Sequence, residues 1–470
     1  MNILPLIENL INNFNHFFTN TKTNCLNLEE NIINIGNTFT TDLYVNFIES
    51  LDKDYRNSKQ RKQKYRIKEY IHKSLITSIG EIRFKYTAYN DKLTGERYCY
   101  IRDVLSLKPH QKLSEHAEYV LIKFAGKENM AQAARHALRN YEVSRSLVSK
   151  RIKNLDGSID EVIDKVITQP DILYIEMDEI HANLQNKHKI KGESSKNHIC
   201  PCAIVHEGHK ETFVKRKELK NVRNFAYSEF SYKNLWNLIY DYVDKKYEID
   251  KFKAIFVSGD GAAGIKAYDD AFPNAIFVLD KFHYRKALKY IFKKESYLIN
   301  IADEYIRNNM INDFKTLVKI QIEKYPSQEK YLLEKQDNII NNIEGIINQK
   351  HLLYKCPCSM EGHVSNRYAR YITSSPFAFS KQGLKNKLKL LVMNANKHNL
   401  TFDEFLQLKY GVNKDKKMLE LFDSFTNIKF DKKILSKKNI PHTISTAFIP
   451  KFFATSTNEY INSLIALKNK

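Results

Sequence analysis

Three acidic side chains are placed where the fold could gather them around divalent cations. Asp178 and Asp260 each follow a short apolar run rich in β-branched and aromatic residues, as at the end of a buried strand. Glu361 stands at the start of a run with helical spacing, and Glu459 is a rival for this third position. Hard cations prefer carboxylate oxygens, and two such ions can activate an attacking oxygen and stabilise a leaving one. We therefore predict that Asp178, Asp260 and Glu361 are catalytic residues that bind two Mg²⁺ or Mn²⁺ ions.

Residues beside these carboxylates have more than one interpretation. Asp280 ends another apolar run, and His283 follows it by three positions. This pair either supports the geometry of the site, or His283 only donates a hydrogen bond to Asp280. Glu176 shares one face of its predicted strand with Asp178, because side chains alternate along a strand. We interpret it as a charge near the site rather than a ligand.

The cysteines allow two interpretations. Six cysteines in 470 residues are too few for a disulfide scaffold, which agrees with a reducing compartment. The pairs Cys200/Cys202 and Cys356/Cys358 each flank a proline, and four thiolates could bind zinc. A spacing of one residue is tighter than zinc pairs usually have, which favours small buried thiols.

A mixed sheet would bring the two aspartates together. The predicted strands are residues 171–179, 198–205, 212–216, 254–257 and 275–279, with a helix over 232–247. This order fits an α/β ribonuclease-H-like catalytic domain with a mixed five-stranded sheet, over residues 168–283, in which the first and fourth strands are neighbours. Ligands of open α/β sheets usually bind at the carboxyl ends of the strands.

The segments after the sheet are predicted to be helical. Residues 284–355 show helical spacing without strand patterns and form an all-helical insertion. Residues 356–395 supply the C-terminal helices of the catalytic domain, including a basic amphipathic helix over 380–393. Residues 396–470 form a basic C-terminal tail.

The charge of the chain predicts a polyanionic partner. Lysine and arginine number 75 against 54 acidic residues, which gives a net charge of +21. The alternative is that many lysines are only solvated surface in an asparagine-, isoleucine- and lysine-rich composition. No apolar run is long enough to cross a bilayer, and the start of the chain lacks a basic leader. We expect a protein of the cytoplasm, at the bacterial nucleoid, without a membrane partner.

The N-terminal third is predicted to be a mainly helical DNA-binding region that contains a β-hairpin. Residues 1–75 form a basic helical region, in which 53–73 would be a helix lying along phosphates or only a solvated face. Residues 76–158 hold the hairpin, around the turn sequence NDKLTG, and a helix-turn-helix-like pair. A loose joint at 156–158 follows. The residues expected to contact DNA are Arg145, Ser149, Lys150, Arg151, Lys153 and Arg367.

Four segments in this order resemble one known family. They read LYIEMDEIHANLQ, VSGDGAAGIK, FVLDKFHYRKALKY and CSMEGHVSNRYARYITSSPFAFS. The chain is identified through them as a member of the ISLre-type insertion-sequence transposases, a bacterial family long described as uncharacterised. The likeness runs from the hairpin to at least residue 383, which is most of the chain, and Ile180 and Gly264 depart from the family pattern. The spacing of Asp280 and His283 also resembles mutator-like and hAT transposases.

The resemblance implies a transposase with an Asp-Asp-Glu site. Asp178, Asp260 and Glu361 would be its metal ligands, with Asp280 and His283 as a supporting motif. Such an enzyme binds double-stranded DNA at the terminal inverted repeats of its element, cleaves it and joins it to target DNA, and is expected to act as a homodimer on paired ends. The alternative is an inactive or repurposed DNA-binding protein derived from a transposase. A junction-resolving nuclease of the same fold is disfavoured by the N-terminal DNA-reading region.

Overall fold

The computed structural model describes most of the first 411 residues. The described ranges are 3–20, 28–139, 141–159, 163–185, 198–211, 218–293, 295–373 and 378–411. Within them the chain forms two compact units, one of residues up to 74 with 82–109, and one of residues 75–81 with those from 110 onward. The predicted boundaries grouped the chain differently, because they joined the hairpin to the helices that follow it.

Eight strands and eighteen α-helices make up the described chain. The strands are β1 (Tyr65–Thr77), β2 (Gly80–Asp91), β3 (Arg97–Tyr98), β4 (Ile172–Ala182), β5 (His198–His206), β6 (Arg223–Ala226), β7 (Ala254–Gly259) and β8 (Ile276–Leu279). The helices up to β8 are α1 (Leu4–Asn20), α2 (Leu28–Asn57), α3 (Lys59–Lys64), α4 (Tyr100–Val104), α5 (Glu115–Ala125), α6 (Met130–His136), α7 (Arg145–Lys153), α8 (Tyr232–Lys246) and α9 (Ala263–Lys266). Those after β8 are α10 (Lys281–Ile291), α11 (Leu298–Arg307), α12 (Ile311–Lys324), α13 (Glu329–Ile340), α14 (Ile343–Ile347), α15 (Met360–Val364), α16 (Arg370–Ile372), α17 (Lys381–Ala395) and α18 (Phe402–Tyr410). Within the described ranges, none of these helices combines the length and the apolarity needed to cross a membrane.

The first sheet has the strand order β1-β2-β3. The antiparallel pairing of β2 with β3, with Tyr89 opposite Tyr98, confirms the predicted hairpin. Its second strand, which the sequence predicts over residues 96–103, is only two residues long, and the prediction is wrong from Tyr100, where α4 begins. The predicted basic helix over residues 53–73 is wrong beyond residue 64, where β1 begins. Apolar or aromatic side chains recur there two and four residues apart, at Tyr65, Ile67 and Ile71. This period of two is typical of a strand, and it outweighs the basic character of the segment.

The second sheet contains five strands in the order β6-β5-β4-β7-β8. Strand β5 is antiparallel to β4 and β6, whereas β7 is parallel to β4 and to β8. This confirms a mixed five-stranded sheet in which the first and fourth of its strands are neighbours. The predicted third strand over 212–216 lies outside the described residues. In the described chain β6 pairs with β5 at that edge, and its four residues are too few to show alternation.

The two faces of β4 have different surroundings. Leu173, Ile175 and Met177 lie in the main hydrophobic core, which α8 and the helices after β8 cover. Tyr174 belongs to a smaller core on the opposite face, together with Phe256 and Cys356. The alternation predicted for this strand is therefore confirmed.

Residues 281–350, apart from residue 294, contain helices and no strand, which confirms the helical insertion within the described chain. Its apolar side chains join the core of the sheet, as Leu288, Phe314 and Ile339 show. The insertion is thus an extension of the same core.

Helix α17 connects several other helices through buried polar side chains. Asn386 donates hydrogen bonds to the carbonyl oxygens of Ile152 (2.8 Å) and Leu155 (2.7 Å) near the end of α7. Lys387 donates to the carbonyls of Ala125 and Glu128 at the end of α5. The predicted helix is present, but Lys387 is fully buried and not part of a solvated basic face.

The predicted loose joint at residues 156–158 is a close contact instead. The Gly157 amide donates to the carbonyl of Leu408 in α18 (2.8 Å), and a Cβ on Gly157 would lie 1.9 Å from the Gln407 oxygen. Helix α18, which the sequence assigned to the tail, therefore packs as part of the second unit.

Candidate functional site

Asp260 directly follows β7, as predicted, whereas Asp178 does not end its strand: β4 continues to Ala182 and pairs Asp178 with Cys202 of β5. Asp178 lies instead just beyond the last residue of β4 that pairs with β7. The register pairs Glu176 with Ser258, so two residues further along Asp178 comes level with Asp260. The amide of Glu179 donates to Asp178 Oδ1 (2.8 Å), and the amide of Ala262 donates to Asp260 Oδ1 (2.9 Å). These backbone hydrogen bonds orient both carboxylates at the carboxyl edge of the sheet.

Glu361 approaches the same edge from α15, which packs against β4. Burial raises the pKa of Asp178 to about 6, and the negative charges of Glu361 and Asp260 add to the rise. The Glu179 amide and His283 act in the opposite direction. The structure therefore brings all three predicted carboxylates within electrostatic reach, with Asp178 interacting with both others.

Asp280 and His283 form a pair next to these carboxylates. Asp280 follows β8, where its amide donates to the Gly259 carbonyl (2.7 Å), and its side chain caps α10. His283 Nδ1 lies 2.7 Å from Asp280 Oδ2. This hydrogen bond raises the pKa of His283, and the charges of Asp178 and Asp260 raise it further. The pair places a group that favours positive charge beside the acids.

The three carboxylates differ in exposure, and their ligand atoms do not all lie within 4.8 Å of one another. Glu361 is exposed, while Asp178 and Asp260 are half-buried. In the described part of the chain, only one set of three potential ligand residues has all its ligand atoms within 4.8 Å of one another, and it is Glu176, His206 and Cys356. The three carboxylates are therefore spread more widely than the first shell of a single ion.

The close set of Glu176, His206 and Cys356 is better explained by hydrogen bonds than by a metal. The Gly208 amide donates to His206 Nδ1 (3.0 Å), so this nitrogen carries the free lone pair. His206 Nε2 then carries the hydrogen and donates to Glu176 Oε1 (3.1 Å). A metal at Nε2 would need the lone pair that this tautomer lacks.

The two Cys-Pro-Cys pairs do not form one four-thiolate site in the described chain. Cys202 donates to the Asp178 carbonyl (3.2 Å), whereas Cys356 Sγ lies 3.3 Å from His209 Nε2. Cys200, Cys202 and Cys356 are buried free thiols. This agrees with the interpretation as small buried thiols.

The residues predicted to contact DNA on α7 lie at its surface. Arg145, Lys150 and Lys153 are exposed and Ser149 is half-buried. Residues 137–144 separate α6 from α7, which is longer than the three- or four-residue turn of a helix-turn-helix. The two helices therefore depart from that motif, although α7 carries the expected basic surface.

Two predicted DNA contacts are engaged within the protein. Arg151, with its side chain 27% exposed, lies 3.6 Å from the buried Glu118 carboxylate. Arg367 donates to His363 Nδ1 (3.1 Å) and to the Ala395 carbonyl (3.0 Å). The rival acid Glu459 lies outside the described residues.

The structure adds Glu176 and Ser359 to the site. Glu176 Oε2 accepts hydrogen bonds from the amide (2.7 Å) and the hydroxyl (3.0 Å) of Ser359, directly before the helix that carries Glu361. The one signal in the sequence is that Glu176 shares a strand face with Asp178.

Comparison with known proteins shows relatives in one bacterium. Proteins of Caldanaerobacter subterraneus subsp. tengcongensis, each named a UPF0236 protein, are 28% identical to this chain. One alignment covers 428 residues, 89% of this chain and 83% of the relative, and that relative is named for eleven loci. A second covers 427 residues, 89% of this chain and 84% of the relative. The model of the uncharacterised protein family UPF0236 matches residues 19–406, and the chain therefore belongs to this family.

Proposed function

We propose that this protein is a DNA transposase of an ISLre-type insertion sequence with a ribonuclease-H-like catalytic domain. The observation that carries the proposal is the convergence of Asp178, Asp260 and Glu361 at the carboxyl edge of the mixed sheet, where burial raises the pKa of Asp178 and the charges of the other two acids raise it further. The first and fourth strands of this sheet are parallel neighbours, as that fold requires.

The residues fit a pair of divalent cations. All three offer carboxylate oxygens, the ligands that Mg²⁺ and Mn²⁺ prefer. Their mutual repulsion is the electrostatic condition that cations relieve. Asp178, Asp260 and Glu361 would hold the ions, and Asp178 interacts with both other acids. The ions would supply the positive charge that these carboxylates lack.

The proposed reaction is phosphodiester hydrolysis at the element end, followed by attack of the freed 3′-hydroxyl on target DNA. The two cations would activate the attacking oxygen and stabilise the charge on the leaving one. The contribution of Asp178, Asp260 and Glu361 is to hold fixed positions, because the amides of Glu179 and Ala262 restrain the two aspartates. His283 and Asp280 share a hydrogen bond, and this hydrogen bond raises the pKa of His283, which favours its protonated form beside the acids, where it would orient a phosphate.

Charge and family relationships support DNA as the substrate. The net charge of +21 suits a polyanion. Arg145, Lys150 and Lys153 give α7 an exposed basic surface for the phosphate backbone, and the half-buried Ser149 lies between them. A relative named for eleven loci of one genome is what a multicopy mobile element would produce. We propose a homodimer bound to the paired inverted repeats.

The test is cleavage of DNA that carries the ends of the element encoding this protein. We expect the unaltered protein to cut it only with Mg²⁺ or Mn²⁺. Asp260→Ala should bind the same DNA and lose about a hundredfold or more of the cleavage rate. Asp270→Ala, an exposed aspartate after the same strand, is the matched control and should cut normally. Cation-dependent cutting by Asp260→Ala at the normal rate would refute the site, and binding without cutting by the unaltered protein would favour the inactive, repurposed form.

A further inference from the structure

The face of β4 that carries Asp178 also holds the segment that leads to Glu361. Tyr174, two residues before Glu176, accepts a hydrogen bond at its hydroxyl from the Lys355 amide (3.2 Å). The same hydroxyl donates to the Leu353 carbonyl (3.4 Å). Tyr174 and Glu176, which lie on the same face of β4, therefore contact successive positions within residues 353–361.

Glu176 makes the strongest of these connections. Its carboxylate accepts from the Ser359 amide, the Ser359 hydroxyl and His206 Nε2. The side chains of Glu176 and His206 are 1% and 0% exposed, so these hydrogen bonds replace those that water would make. All three partners act as donors, so the carboxylate accepts three hydrogen bonds.

Ser359 makes its side-chain hydrogen bond to Glu176 rather than to its own helix. It is the N-cap residue of α15, a position where a serine hydroxyl usually accepts from an amide of its own helix. Here its side chain makes no such hydrogen bond. The hydroxyl donates to Glu176 instead. Helix α15 continues without a break into a π-helical segment, Ser365–Ala369, and then into α16, so Ser359 stands at the start of the whole helical run. Glu361 lies two residues after this anchor, in the first turn of that run.

We infer that Glu176, oriented by His206, is a positioning residue that sets the place of Glu361 through Ser359. The inference rests on the proposed function, because it assigns Glu361 to the cation site. It explains how an acid beyond a long helical insertion returns to Asp178: the strand that carries Asp178 also carries the anchor.

The test uses Mn²⁺ binding to the full-length protein without DNA, measured by calorimetry and by the electron paramagnetic resonance of the bound ion. Glu361→Gln should weaken Mn²⁺ binding. Glu176→Gln should weaken it by about tenfold, as loss of groups that orient ligands does, because the amide of glutamine would place a donor against Ser359 or His206. Ser359→Ala, a milder change that keeps the amide, should weaken it less. The double variant Glu176→Gln/Glu361→Gln should bind no more weakly than Glu361→Gln alone, since Glu176 acts through Glu361.

Glu207→Gln is the matched control. Its side chain is also 1% exposed and accepts hydrogen bonds from Tyr247 (3.0 Å), with Lys220 at 3.1 Å. It should lose stability without a change in Mn²⁺ affinity. Hydrogen exchange gives a second readout: amides of residues 355–364 should exchange faster in Glu176→Gln and at the normal rate in Glu207→Gln.

The outcomes separate this inference from the proposed function. If Glu361→Gln weakens Mn²⁺ binding while Glu176→Gln matches Glu207→Gln, the positioning role is overturned and the cation site stands. Unaltered exchange over residues 355–364 in Glu176→Gln also overturns it. If neither Asp178→Asn nor Glu361→Gln affects Mn²⁺ binding, the proposed function and the inference both fail.

Discussion

At Asp178 the protein keeps a carboxylate where burial and two neighbouring acids disfavour its charge. Its pKa of about 6 in the folded protein lies above the ordinary value of 3.8. As the pH rises, the unfolded chain therefore releases this proton before the folded protein does. The resulting loss of stability begins near pH 4 and is complete above pH 6. Cations bound at this site would offset this loss of stability, because their positive charge favours the ionised form of Asp178.

We predict that Asp178→Asn stabilises the cation-free protein while it abolishes stabilisation by cations. At pH 7.5 in EDTA the free energy of unfolding should rise by about 1–2 kcal/mol, less than the full shift implies because water screens part of the interaction. At pH 4 the difference should nearly vanish. Thermal unfolding at both pH values, with and without Mn²⁺, measures these effects. A variant that is less stable than the unaltered protein at pH 7.5 in EDTA would contradict the argument.

How far the sequence predicts a residue's role depends on the range of its interactions. Asp178 and Asp260 could be placed together because each ends an apolar run and a parallel sheet aligns such ends. The role of Glu176 could not be predicted, since its partner Ser359 lies 183 residues away. The alternation of side chains along β4 predicted the strand face of Glu176 correctly, but it could not indicate which segment covers that face.

At the scale of elements, the turn after β7 determines the position of Asp260. Gly261 has φ of +89°, which side-chain-bearing residues rarely adopt, and a Cβ there would lie 2.4 Å from the Asn342 Oδ1 atom. Gly261→Ala should therefore displace the turn in which the Ala262 amide holds Asp260. We expect a loss of about 1–3 kcal/mol in unfolding free energy and weaker Mn²⁺ binding. Chemical denaturation and calorimetry test this.

Gly36→Ala is the control for that substitution. Gly36 lies inside α2, and nothing approaches its added Cβ within 4 Å. Alanine should stabilise the helix by roughly 0.5–1 kcal/mol and leave Mn²⁺ binding unchanged. Equal effects of the two substitutions would show that the Gly261 turn has no special role.

Lys387 in α17 gives a pH-dependent prediction. Burial lowers its pKa to about 7, against 10.5 in the unfolded chain, so the unfolded chain binds more protons between these values. Stability from this group therefore rises as the pH increases above 7. Lys387→Met leaves the carbonyls of Ala125 and Glu128 without a donor at any pH. It also removes the cost of burying the charge, which is present only at lower pH.

The destabilisation by Lys387→Met should consequently be larger at pH 9 than at pH 6.5, by about 2 kcal/mol. Denaturant titrations of both proteins at the two pH values measure this difference. Lys385→Met, two positions away on an exposed part of the same helix, should show no such dependence. A difference that shrinks toward pH 9 would contradict a lowered pKa.

The features that the sequence failed to predict have one physical cause, which is that each depends on a partner elsewhere in the chain. In β6 the four residues Arg223–Ala226 are too few for periodicity, and the strand exists because β5 pairs with it. In α17 the spacing indicated a helix, but a lysine on a polar face gives no sign that carbonyls at the end of α5 will accept hydrogen bonds from it. Longer periodic elements such as β4 and α8 were predicted correctly, because their own side chains define a buried face.

At the scale of the whole molecule, the excess of positive charge should make DNA binding depend steeply on salt. Each phosphate neutralised by a lysine or arginine releases counterions, so the slope of log K against log salt concentration reports the number of such contacts. The exposed Lys150 and Lys153 on α7 are proposed to make two of them. Lys150→Ala/Lys153→Ala should weaken binding to any DNA sequence and reduce the magnitude of the slope by about 2.

The control for this double variant lies at the opposite edge of the sheet from the carboxylates. Lys251 and Lys253 precede β7, are 62% and 65% exposed, and pair with Glu248 and Asp171. Their double alanine variant removes the same charge and should leave the slope unchanged. Fluorescence anisotropy over a series of salt concentrations compares the two. Equal reductions would show that binding responds to net charge alone, whereas a reduction confined to the α7 variant would place the phosphate backbone against that helix.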